Sequence, residues 1–92
     1  MKISDVRVRI IQNESGKLRA VASITIEDNV VVHDIKVVEG LDGNLFVAMP
    51  SRKGSNGEYK DICHPLNSET RALITDAVMD VYKLELAKTI TE

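Results

Sequence analysis

The feature that most limits the fold is a change of period. From Ile3 to Glu39 apolar residues recur at alternate positions, and after Pro65 they recur at helical spacing. Period two sends successive side chains to opposite faces of a strand, whereas spacings of three and four line one face of a helix. Such a chain builds antiparallel strands first and a helix afterwards. Val6, Val8 and Ile10 form one face of a first strand, with Arg7 and Arg9 on the other. Asn13 to Lys17 has turn chemistry and is short enough for a hairpin. Leu18, Ala20, Ala22, Ile24 and Ile26 make the inward face of a second strand, where the small alanines admit close approach of another element. Asp28-Asn29 marks the next turn. Unbroken alternation from Val30 to Glu39 then puts Val31, His33, Ile35 and Val37 on one face, opposite Val30, Val32, Asp34, Lys36 and Val38. Both faces carry apolar area, so this strand is expected between layers or in a subunit interface.

Glu39 to Asn44 reads as a turn with glycines able to take positive φ. Leu45 to Met49 reads as a short buried strand stopped by Pro50, residues 51–57 as a polar loop, and Tyr59 to Cys63 as a last strand. Asn67 is the expected helix N-cap, with Ser68 its rival. Ile74, Ala77, Val78, Val81 and Tyr82 form the buried helical face, leaving Asp76, Asp80 and Lys83 outside. The expectation is a single α+β domain over residues 1–92: an antiparallel meander of about five strands over 2–64, then one amphipathic helix over 68–88. A core built from 92 residues is modest, so dimerisation through the sheet is expected.

Composition excludes several functions. A net charge of -2 is not that of a polyanion binder acting through its whole field, so any nucleic-acid role needs a local patch. Aromatic residues make up 3% of the chain, too few for a stacking platform of several rings. The single cysteine, Cys63, forms no intrachain disulfide and no multi-cysteine zinc site. A lone thiol suits a reducing compartment, and Met1 to Asp5 carry no apolar signal-peptide run, so a cytoplasmic location is expected, with no membrane partner.

Cations cluster before Ile26 (Lys2, Arg7, Arg9, Lys17, Arg19) and after Pro50 (Arg52, Lys53, Lys60, Arg71), while Glu27 to Met49 is acidic. The first two strands are expected to set Arg7, Arg9 and Arg19 on neighbouring positions. Arg52 and Lys53, between glycines, are placed to reach a phosphate backbone; alternatively these cations only solvate the sheet and pair with the acidic middle. His33-Asp34 and Asp61-Ile62-Cys63-His64 are the remaining polar groupings. They lack third and fourth metal ligands at useful spacing, and Cys63 and His64 point to opposite faces if extended. No Walker loop, dinucleotide fingerprint or nucleophile elbow occurs, so neither an enzyme nor a cofactor is expected.

Leu45 to Lys53, Gly57 to Ile62 and His64 to Asn67 closely resemble the bacterial stage V sporulation protein G (SpoVG) family. Ile3 to Arg9, Ala22 to Thr25, Val32 to Ile35 and Asp76 to Val78 add to the likeness, which is colinear to about Tyr82. One departure is Gly54-Ser55, where members commonly have threonine-proline. The resemblance implies a small cytoplasmic, homodimeric regulator that binds DNA and RNA, modulates gene expression, and is linked to sporulation and negative control of asymmetric septation. It assigns nucleic-acid contact to Arg52 and Lys53 and to the helical segment that includes Arg71; charge pattern adds Lys60, Arg7 and Arg9. The competing reading is a protein-interaction module that docks a division or regulatory protein without touching nucleic acid.

Overall fold

The computed structural model describes residues 2–11 and 16–90, with side chains through Lys88. The expected turn at Asn13 to Lys17 lies largely outside them. Four strands, β1 (Ile3–Ile10), β2 (Leu18–Ile26), β3 (Val30–Glu39) and β4 (Leu45–Ala48), form one antiparallel sheet in chain order. Two further strands, β5 (Ser51–Lys53) and β6 (Tyr59–Asp61), pair only with each other, and a helix, α1 (Ser68–Ile90), closes the chain. The α+β class and the meander are therefore present. Residues 51–57, read from sequence as a loop, contain a strand, and the last strand leaves the main sheet instead of extending it.

The core lies between α1 and one face of the sheet. Ala20, Ala22 and Ile24 of β2, Ile35 and Val37 of β3, and Met49 meet Ile74, Val78 and Tyr82 of the helix. Val6, Val8 and Ile10 of β1 pack around them. The helix lies chiefly against β1 and approaches β2 and β4 within 8 Å between Cα atoms. Ala20 and Ala22 permit that approach. Helix entry is set by Asn67, whose Oδ1 accepts from the Thr70 N–H at 2.8 Å while its carbonyl accepts from the Arg71 N–H at 3.1 Å. Asn67, not Ser68, is the cap.

Two bulges in the pairing of β2 with β3 change which residues face this core. Ala22 pairs with Ile35 and Ile24 with Val32, so Ser23 stands opposite both His33 and Asp34. Asp34 takes φ 62, in the left-handed region that a short polar side chain tolerates. The extra residue shifts the alternation. Val32 joins Ile35 and Val37 against the core, and Val31, 48% exposed, turns away together with His33. The unbroken alternation expected for Val30 to Glu39 is thereby corrected. The second bulge lies on β2, where Leu18 pairs with Val38 and Ala20 with Val37. It removes Leu18 from the inward row and turns Arg19 toward Glu39, where Nη2 donates to Oε2 at 2.9 Å. Arg19 thus joins the far end of β3 and not the Arg7–Arg9 row. β4 is also less buried than its sequence suggests: as an edge strand it leaves Phe46 50% exposed.

The turns follow local chemistry. Between β2 and β3, Glu27 and Asp28 both have positive φ and the Asn29 N–H donates to the Ile26 carbonyl, the sign pattern of a type I′ hairpin. This turn sits one residue earlier than Asp28-Asn29. The β3–β4 and β5–β6 turns are built alike. Gly43 (φ 83) and Gly57 (φ 85) follow Asp42 and Asn56, whose side chains accept from the N–H groups of Asn44 and Glu58.

Two outcomes test this reading by urea denaturation. Val32→Ala should cost about 1 kcal/mol, whereas Val31→Ala stays within ~0.5 kcal/mol; equal costs would contradict the shifted alternation. Asp34→Val, forcing a β-branched residue to positive φ, should cost about 1–2 kcal/mol, while Asp34→Gly is neutral or stabilising.

Candidate nucleic-acid interface

The candidate cations divide among three places, and one group of three stands on an arm. Pro50, buried at the end of the main sheet, sends the chain outward into β5, and it returns through β6. Residues 52–62 are all exposed, and β5 and β6 contact chiefly each other. A radius of gyration of 13.7 Å exceeds the ~12 Å of a compact domain this long, as a projecting element requires. At the tip the Gly54 N–H donates to the Glu58 carbonyl at 2.7 Å; at the base the Ile62 N–H donates to the Pro50 carbonyl at 2.7 Å.

Register decides what the arm presents. Arg52 stands directly opposite Lys60, Lys53 opposite Tyr59, and Ser51 opposite Asp61. Pleating puts Arg52 and Lys60 on one face and Lys53 with Tyr59 on the other. Like charges directly opposite each other destabilise a strand pair, and this two-stranded ribbon has little core to offset that cost. An anion between them would relieve it. A shallow depression of about 340 Å³ runs along the arm past Arg52, Lys53, Lys60 and Asp61. Glu58 and Asp61 are the carboxylates of the arm, so its positive charge is local.

Arg7 and Arg9 lie on the open face of β1, away from the helix. Arg7 Nε donates to Asp5 Oδ2 at 3.0 Å, an exposed pair of small energetic weight. Arg9 is aligned across the sheet with Val21 of β2, Lys36 of β3 and Ala48 of β4. Lys36 was missed in the sequence because the inferred alternation placed it on a second apolar face. Arg71 is exposed in the first turns of α1, close in sequence to Glu69, and the Asn67 cap already satisfies the Thr70 and Arg71 N–H groups. The helix start therefore offers an anion less than its dipole alone suggests. The six sequence candidates are thus gathered in part: Arg52, Lys53 and Lys60 share the arm, Arg7 and Arg9 share the open sheet face, and Arg71 stands on the helix.

The remaining polar groups are arranged differently. His64 is exposed, with Nδ1 3.1 Å from the Pro65 carbonyl, while Cys63 packs against the core. Among the described residues no three His, Cys, Asp or Glu side chains converge as metal ligands. No described helix is long and apolar enough to cross a membrane. Tyr59 was not singled out by sequence, although its position two residues after Asn56-Gly57 makes it the natural partner of Lys53 once a hairpin is recognised.

Comparison with known proteins places the sequence in a family. The family model described as SpoVG matches residues 1–84. A protein of Agathobacter rectalis named "Putative septation protein SpoVG" is 56% identical over 86 residues, covering 94% of this chain and 97% of its own. Proteins of the same name from Lachnospira eligens and Clostridium perfringens are 60% and 57% identical over 83 residues, each covering 90% of this chain and, respectively, 92% and 90% of their own. With the family model spanning nearly the whole length and full-length relatives more than half identical, the chain belongs to the SpoVG family.

Proposed function

We propose that this protein is a small cytoplasmic regulator that binds DNA or RNA as a homodimer and modulates gene expression connected with sporulation and septation. The septation link rests on the names of its relatives. The observation that carries the nucleic-acid reading is the arm, where Arg52 and Lys60 oppose each other and Lys53 is exposed on the reverse face. Phosphate is the ligand that turns this repulsive pair into an attractive one. Arg7, Arg9 and Lys36 on the open sheet face, with Arg71 on the helix, extend the surface available to a longer strand.

A dimer would double a weak patch into useful avidity. β3 is paired on both sides, so strand pairing between copies would fall to the free edges, β1 and β4. Beside β1 a groove of about 690 Å³ runs between Ile3 to Val6 and the helix residues Leu73, Ala77 and Val81. The second reading, a protein-docking module, is favoured by one specific observation: Leu41 and Phe46 are exposed at and beside the β4 edge. It predicts no affinity for any nucleic acid.

Fluorescence anisotropy with labelled DNA and RNA at several salt concentrations separates the two. Binding should weaken steeply with salt. Arg52→Ala with Lys53→Ala should reduce the log–log salt slope by about 1.4 per engaged protomer on single strands, from ~0.7 per phosphate, with the fold unchanged by circular dichroism. An unaltered slope would move the contact surface off the arm. No binding from a folded protein at low salt would leave the docking module as the better reading. For assembly, light scattering after gel filtration should give twice the monomer mass, and charge placed on the β1 groove by Val81→Asp should shift it toward monomer.

A further inference from the structure

We propose that Tyr59 is a base-stacking residue and that the arm therefore takes nucleic acid with unpaired bases. This inference rests on the nucleic-acid reading above and narrows the ligand to single strands. Three aromatic side chains occur in the chain. Tyr82 is buried in the core, and Phe46 lies on the edge of the main sheet. Tyr59 is 71% exposed on the arm, with its backbone paired to Lys53. A large ring left in water forgoes the burial that normally places it, and among the described residues the strands of the arm contact chiefly each other.

The neighbours of the ring decide what it suits. Lys53 and Tyr59 are cross-strand partners, so their Cβ atoms stand about 5 Å apart and an ammonium group and a ring leave the ribbon from the same face. That pairing matches one nucleotide: the base on the ring, its phosphate on the lysine. Sequence-tolerant single-strand binders use this combination because every base has a face to offer. In a duplex those faces are closed within the stack, and a side chain reads only edges. The one amide of the arm, Asn56, has its Oδ1 engaged by the Glu58 N–H at 3.1 Å, which leaves edge reading to the same cations that phosphate contact requires. Asp61 shares the Lys53–Tyr59 face toward the base and Glu58 lies at the turn, so phosphate contact on this face is confined to the step beside Lys53. Arg52 and Lys60, on the reverse face, are left to hold the adjoining backbone.

Tyrosine emission follows Tyr59, because the chain has no tryptophan and the buried Tyr82 adds a background that ligand does not reach. Unlabelled oligouridylate, oligothymidylate, an abasic oligonucleotide of equal length and a duplex would be titrated while tyrosine emission is followed. The single strands with bases should quench it; the abasic strand and the duplex should not. Tyr59→Phe and Tyr59→Trp should keep affinity within about twofold, and Tyr59→Leu should lose about 5- to 150-fold for single strands, the range of one stacked base. Leucine retains an apolar, strand-tolerant side chain, so its loss separates the ring from the fold of the arm. If Tyr59→Leu binds like the wild type, or if duplex binds as tightly as single strands, the stacking inference fails while the nucleic-acid reading stands. If the wild type binds none of the four, the broader reading fails with it. Uridylate and thymidylate bound alike support recognition through the base face and the phosphate, which both strands offer.

Discussion

The structure depends on one irregularity in β3. With Ser23 opposite both His33 and Asp34, the strand changes face midway, and only then do Val32, Ile35 and Val37 lie together beneath the helix. A regular strand would trade Val32 for Val31 and His33, setting an imidazole against aliphatic groups. Burying such a polar ring without a partner is costly. The chain accepts instead a non-glycine residue at positive φ. Aspartate is among the residues that bear this best, and its exposure lets the carboxylate remain hydrated. The alanines of β2 complete the arrangement by letting the helix lie close, so that Ile74, Val78 and Tyr82 reach the sheet.

Charge is handled outside that core. Among the described residues no polar side chain is buried, and the ion pairs of Arg7 with Asp5 and of Arg19 with Glu39 are exposed or half-buried. They orient side chains more than they stabilise the fold. Arg19 is instructive, because its bulge withdraws it from the basic row of β1 and commits it to an acidic partner. The arm follows the opposite course: Arg52 and Lys60 are aligned by register with no acidic residue interposed between them. Net charge alone conceals this contrast.

Much of the fold was legible from period and punctuation. Alternation identified the inward rows of β1 and most of β2, and the spacing after Pro65 identified the helix, its cap and its buried face. What period cannot show is an inserted residue, because a bulge leaves composition untouched and reverses the face assignment beyond it. His33-Asp34 and Arg19 escaped for that reason. Ser51 to Lys53 escaped for another: three polar residues carry no apolar pattern, and only the likeness of Gly54-Ser55-Asn56-Gly57 to Gly40-Leu41-Asp42-Gly43 marks a hairpin. The basic candidates were visible as residues, whereas their separation onto arm, sheet face and helix required the topology.

The arm that leaves the body at Pro50 separates what holds the fold from what the fold displays. Its strands share few contacts with the core, so changes in the two regions should add with little coupling. Replacing its charges or its ring should leave the folding free energy almost where it was. The family match nevertheless runs through this arm, where packing asks little of the sequence. Whatever limits the choice of residues there acts through what the arm presents to a ligand, and not through the stability of the domain.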